Sequence, residues 1–145
     1  MITLEALANQ VRDAIPLTRH LHFQFTEFDG YTLTVTAPIG PNHNDKGTFF
    51  AGSQSALLTL AGWGLTTLLA HHCGHPADVV AVETQLKYTL PLDTDLRITV
   101  TTEQRQRFEE RLQHRGKASL RITAIGCGAD GKTVCEFSGA YLARV

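Results

Sequence analysis

Apolar residues recur along the chain with two periods, and the switches between them mark its elements. Residues 2–15 place Leu4, Leu7, Ala8, Val11 and Ile15 at helical spacing. Thr3 can cap the first amides, and Pro16 disfavours continuation past Ile15. The period then falls to two. Leu21, Phe23 and Phe25 alternate with His22, Gln24 and Thr26, and Tyr31, Leu33, Val35 and Ala37 alternate with Thr32, Thr34 and Thr36. Both runs predict strands. A two-residue Asp29-Gly30 loop would set Phe25 against Thr34. A three-residue loop, Phe28-Asp29-Gly30 with Gly30 left-handed, pairs Phe25 with Leu33 and Phe23 with Val35, and is the expected register.

Pro38 to Phe50 reads as a loop, and Ala51–His71 as one helix that is apolar on nearly every side. Ser53, Gly62 and Gly64 are weak helix formers, so packing must hold it, and the rest of the fold must wrap it. Val79–Leu90 and Leu96–Thr102 predict strands with a turn through Pro91 between them. Val80, Val82, Leu86 and Tyr88 are expected on one face of the first, with Glu83, Gln85 and Lys87 on the other. Gln104–His114, with Phe108 and Leu112 four apart, predicts a short surface helix ending near Gly116. Ala118–Gly126 and Thr133–Ala143 are the last strands. A two-residue Asp130-Gly131 turn pairs Ala124 with Phe137 and Leu120 with Tyr141, and sets Cys127 opposite Val134 and Cys135 opposite Gly126. Those two thiols then face opposite sides of the sheet, which argues against a disulfide between them. The expected class is α+β, an antiparallel sheet around one long central helix.

The length of 145 residues fits a single domain spanning 1–145. A net charge of −1 excludes a nucleic-acid binder held by bulk charge. The charge is unevenly placed. Gly47 to Ala77 holds no Asp, Glu, Lys or Arg, while residues 97–121 hold seven basic and three acidic side chains. The uncharged run is long enough for a membrane span, but Ser53, Gln54, Ser55, Thr59, Thr66 and Thr67 interrupt it, so a buried helix is expected and no membrane partner. The Met-Ile-Thr-Leu-Glu start does not read as a secretory signal. Three cysteines without a metal-type pair suit a reducing cytoplasm.

Several apparent motifs dissolve on inspection. Gly126-Cys-Gly128-Ala-Asp-Gly131 matches G-x-G-x-x-G, but a strand follows instead of a helix. Gly52-Ser53-Gln54-Ser55-Ala56 lacks the second glycine of a nucleophile elbow. His71-His72-Cys73-Gly74-His75 fits no standard metal spacing, and neither metal nor cofactor is expected. The informative segment is Asn42–Ser55, a polar loop running straight into a buried helix. Unpaired amides of Ala51, Gly52 and Ser53 in a first helical turn can bind a carbonyl oxygen and stabilise an oxyanion. Asn44 and Asp45 lie just before it and could hold a water.

Pro41-Asn-His-Asn44-Asp-Lys-Gly47-Thr48-Phe-Phe-Ala51-Gly52-Ser53, Leu60-Ala-Gly-Trp63-Gly64, Leu86-Lys-Tyr88-Thr-Leu-Pro91 and Arg115-Gly116-Lys117-Ala118 together resemble the hotdog-fold thioesterases over the whole chain. The likeness is nearest to the thioesterase-type domain that follows an acetyltransferase domain in some bacterial proteins. Phenylacetate-type hotdog thioesterases read Asn-x-x-Gly-Thr-x-His-Gly-Gly, then an acidic residue on the helix. Laid on this chain, the Asn falls on Asn44, Gly-Thr on Gly47-Thr48, His on Phe50, Gly-Gly on Ala51-Gly52 and the acidic residue on Thr59. Ala51 keeps its backbone N–H. Thr59 does not titrate near neutral pH and can at most orient a water. Asp45 and Glu83 are the candidate bases.

The resemblance implies a homodimer or a dimer of dimers, with acyl-CoA or an acyl-carrier protein lying in a groove between subunits. Gly47, Thr48, Phe50 and Ser53 are then expected to touch substrate, with Trp63 and Tyr88 beyond them. Arg115 and Lys117 suit coenzyme A phosphates or an acidic carrier protein. The expected activity is acyl-thioester hydrolysis. Rival readings are a non-catalytic acyl-thioester binding module and a hydratase or dehydratase on the same fold.

Overall fold

A computed structural model describes residues 1–145. Helix α1 (Leu4–Ala14) starts where Thr3 Oγ1 accepts the Ala6 amide at 3.1 Å. Pro16 does not lead straight into a strand. It opens a 3-10 turn over Pro16–His20, so β1 (Gln24–Phe28) begins later than the alternation from Leu21 suggests. Leu21 and Phe23 are buried regardless.

The first hairpin, β1 with β2 (Leu33–Ala37), has a different register from the one expected. Phe25 faces Val35 and Phe28 faces Leu33, with a bulge between Phe25 and Glu27. The extra residue lets Phe25 and Phe28, three apart, both turn to the core. Asp29 Oδ1 accepts the amides of Tyr31 and Thr32 at 2.8 and 2.7 Å, which fixes a longer tip. Gly30 is left-handed as expected, at φ 93°.

Helix α2 (Ala51–His72) lies inside a six-stranded antiparallel sheet of order β1-β2-β4-β5-β6-β3. The remaining strands are β3 (Asp78–Tyr88), β4 (Leu96–Thr101), β5 (Lys117–Cys127) and β6 (Thr133–Arg144), and α3 spans Arg105–Arg115. This is the hotdog arrangement. The Pro91 segment carries the chain from the β3 edge into the middle of the sheet, where β4 pairs with β2, so it is a crossover. Strand β4 stops at Thr101, opposite Thr123, so it leaves the first six residues of β5 uncovered. Helix α3 lies at that end, buries Phe108 and Leu112 into the core, and stops at left-handed Gly116.

Two further details depart from the expected pattern. In β3, Ala81 faces Tyr141 but Glu83 faces Ala140, and the bulge between them changes the phase. Val79 and Ala81 share the inner face with Leu86 and Tyr88, whereas Val80 and the bulged Val82 lie 57% and 65% exposed. Glu83, Gln85 and Lys87 keep the outer face together. In the β5–β6 hairpin the Ala124–Phe137, Leu120–Tyr141 and Gly126–Cys135 pairs form as expected. Its tip has three residues instead of two. Gly128 N–H donates to the Lys132 carbonyl around left-handed Gly131, and a register shift places Cys127 opposite Thr133, not Val134. No helix is long and apolar enough to cross a membrane.

Candidate functional site

The loop before α2 is built by two amide side chains. Asn42 is buried and its Nδ2 donates to the carbonyls of Leu21 and Pro38 at 2.9 and 2.8 Å. Asn44 closes a tight turn. Its Oδ1 accepts the amides of Lys46 and Thr48 at 2.8 and 3.0 Å, and its Nδ2 donates to Thr48 Oγ1 at 2.8 Å. Gly47 allows that turn at φ 77°. One Nδ2 hydrogen of Asn44 is left over. Asp45 sits at the tip, paired with Lys46 at 3.1 Å in solvent.

The loop is then pinned on both sides of its exit. Phe49 N–H donates to the Leu92 carbonyl and Phe50 N–H to the Asn42 carbonyl, each at 2.7 Å. Gln54, buried one turn into α2, donates from Nε2 to the Phe49 carbonyl at 3.1 Å. Nothing in the sequence singles out Asn42 and Gln54. Only their burial distinguishes them from the other polar residues of the segment.

The first amide of α2 to find a carbonyl is that of Gln54, on Phe50, and no side chain caps the turn. The amides of Ala51, Gly52 and Ser53 therefore have no acceptor within the chain. They combine with the positive end of a 22-residue helix dipole. Gly52 has a packing reason as well: a Cβ there would fall 2.4 Å from the Phe50 ring, which folds back over it. Tyr88, at the end of β3, donates from its hydroxyl to the Ala51 carbonyl at 2.8 Å and so ties the edge strand to this turn. Burial raises the Tyr88 phenol above its ordinary value, and the neighbouring Cys135 adds to this.

Asn44, Gly47, Thr48, Phe50, Ala51, Gly52, Ser53 and Tyr88 are thus gathered at one end of α2. Asp45 stands beside them at the exposed loop tip, and the other candidates lie elsewhere. Thr59 is seven residues beyond Gly52, about 10 Å along the axis. Its hydroxyl donates back to the Ser55 carbonyl at 2.8 Å, leaving its lone pairs free. With Trp63 it lines an apolar groove of about 310 Å³ floored by Tyr141 and walled by Ile15 and Leu17. Glu83 stands on the outer face of the sheet, away from α2. Arg115 and Lys117 lie at the far end of the sheet, since Lys117 pairs with Arg144 and Arg144 with Asp78, ten residues along β3 from Tyr88.

A long helix cradled by its sheet, with free amides at its start, defines a hotdog protein of the thioesterase type. The chain belongs to the family described as "Putative thioesterase (yiiD_Cterm)", whose model matches residues 4–145. It is similar to a crystal structure from Shewanella oneidensis described as a "putative thioesterase", with 27% identity, a TM-score of 0.86, and coverage of 98% of this chain and 97% of that one. A protein of unknown function from Chlorobaculum tepidum is 25% identical with a TM-score of 0.86, covering 98% and 96%. A "probable thioesterase" from Pseudomonas aeruginosa, 21% identical over 99% and 97% with a TM-score of 0.78, shares the fold.

Proposed function

We propose that this protein hydrolyses acyl thioesters, carried on coenzyme A or an acyl-carrier protein, as a homodimer. The carrying observation is the set of three unpaired amides at Ala51, Gly52 and Ser53. They would polarise the thioester carbonyl and hold the negative charge of the tetrahedral intermediate. Attack by water forms a C–O bond; collapse breaks the C–S bond, and the thiolate leaves with the proton taken from that water. Asp45 is the carboxylate on the loop leading into the site, and is the proposed carrier of that proton. Asn44 contributes its remaining N–H.

Two features of the fold support the dimer. Strand β3 is an eleven-residue edge with Val80 and Val82 exposed, a surface that pairs readily with a second copy. Past its first turn, and before its last, α2 keeps partial exposure only at Ser55, Ala56, Thr59 and Trp63, a single stripe beside that edge. Antiparallel pairing of two β3 strands sets the two stripes side by side in opposite directions. Thr59 of one copy then serves the amides of the other, which its distance from Gly52 in its own chain forbids.

Ala51 is the first residue of α2, where proline is tolerated but has no N–H to donate. Ala51→Pro is expected to lower kcat by about 10²–10³ with the fold retained, while Ala51→Ser keeps activity. Equal activity in Ala51→Pro removes this amide from the mechanism. The absence of a carboxylate at position 59 favours a second reading, an acyl-thioester binding module without turnover. Stoichiometric acyl-CoA binding with no thiol release would select it.

A further inference from the structure

Three arginines of α3, Arg107, Arg111 and Arg115, recur every four residues and form one stripe at about 6 Å intervals. Beside them, Lys117 and Arg121 project from the outer face of β5, with Ser119 between them. Two shallow grooves of about 390 and 340 Å³ lie in this face and meet at Arg111 and Ser119; Glu83 is their only acid. None of these five cations pairs with a carboxylate, and none of their side chains donates a hydrogen bond. Arg12, Arg19 and Arg105 instead donate to the fold, to Phe23, Arg12 and Glu109 respectively, and the other unpaired cations, Lys87, Arg97, Lys132 and Arg144, line neither groove.

We propose that this α3–β5 face docks the acidic surface of the carrier protein that presents the acyl thioester. The proposal rests on the hydrolase reading and narrows its substrate from coenzyme A to a carrier protein. Cations four residues apart on one helix match carboxylates four apart on another, and arginine engages carboxylates bidentately. A small phosphate-bearing ligand is normally enclosed, whereas these side chains stand on an open helix flank and sheet face. A long polyanion is disfavoured by the rest of the chain, since residues 1–96 hold nine acidic and four basic side chains.

The face serves the other copy's site. Within one chain it lies by the start of β3, about 33 Å of strand from Tyr88 and the free amides. In an antiparallel β3 pair centred on Glu83, the middle of the strand, the partner's Asp78 comes level with Tyr88. The partner's Lys117 is then only three strand spacings away, about 14 Å. The acyl arm would pass over the end of the sheet.

The test uses the full chain and one acyl group loaded on either an acyl-carrier protein or coenzyme A. Arg107→Glu with Arg111→Glu is expected to lower kcat/KM for the carrier substrate at least about tenfold, through KM. Rates on acyl-CoA should stay within about twofold, and the fall of the wild-type carrier rate with added salt should flatten. Fluorescence anisotropy of labelled, unacylated carrier protein reads docking without turnover. If the wild type hydrolyses neither substrate but binds the carrier, and the double variant does not, the docking face stands and the hydrolase reading falls. Undiminished carrier binding by the variant overturns the proposal. Equal losses on both substrates, with circular dichroism unchanged, overturn it in favour of phosphate recognition.

Discussion

Single atoms decide much at this scale. Gly62 lies against the Tyr141 ring, and a Cβ there would come within 2.4 Å of it. Gly62→Ala is expected to destabilise by about 1–3 kcal/mol in urea melts, despite alanine's better helix propensity, because the buried ring must shift from its place to make room. Tyr141 also donates to the Thr59 carbonyl at 2.7 Å, so the same change should disturb the groove floor. The Asp29 carboxyl is held below its ordinary value by the amides of Thr32 and Tyr31. Its contribution to the hairpin tip is therefore present above about pH 4 and is lost as the pH falls through its depressed value. Amide exchange at Tyr31 and Thr32 should quicken across that interval in wild type and be pH-insensitive, beyond intrinsic chemistry, in Asp29→Ala. Asn44 shows the limit of reading residues in sequence. Its type and spacing were legible; that three hydrogen bonds commit it to its own turn was not.

At the scale of elements, the periodicities located all three helices and all six strands, but bulges set the registers. A single added residue in β1 and another in β3 reverse which side chains face the core, and alternation alone carries no sign of them. The β5–β6 pairing was predictable because the longer tip and the register shift behind it offset one another. Helix α3 looked like a surface helix. It is also the plug for the core where β4 ends, and Phe108→Ala should cost about 3–5 kcal/mol, measured by denaturant unfolding, more than a surface position would. The Tyr88 bond joins two elements across 37 residues of sequence. Tyr88→Phe should cost about 0.5–1.5 kcal/mol and loosen the first turn of α2, seen as faster exchange at its amides.

For the whole molecule, the proposed unit is two chains. Val80→Lys with Val82→Lys places charges on the pairing edge and should shift the sedimenting species from dimer to monomer. Thioesterase activity should fall with the dimer fraction, since the free amides and Thr59 would no longer face each other. The sequence by itself determined the class of fold: the order of periods, the uncharged helix that must be wrapped, and the loop whose residue types suit a helix-start amide site. Those are local properties, carried by side chains near one another in the chain. Tertiary structure alone decided which candidates share that site. Thr59, Glu83, Arg115 and Lys117 are separated from it by helix rise, sheet face and strand length, distances that depend on pairing between segments far apart in sequence. It also gathered five unpaired cations along the two grooves of the α3–β5 face, because only packing shows which charges the fold pairs and which it leaves free.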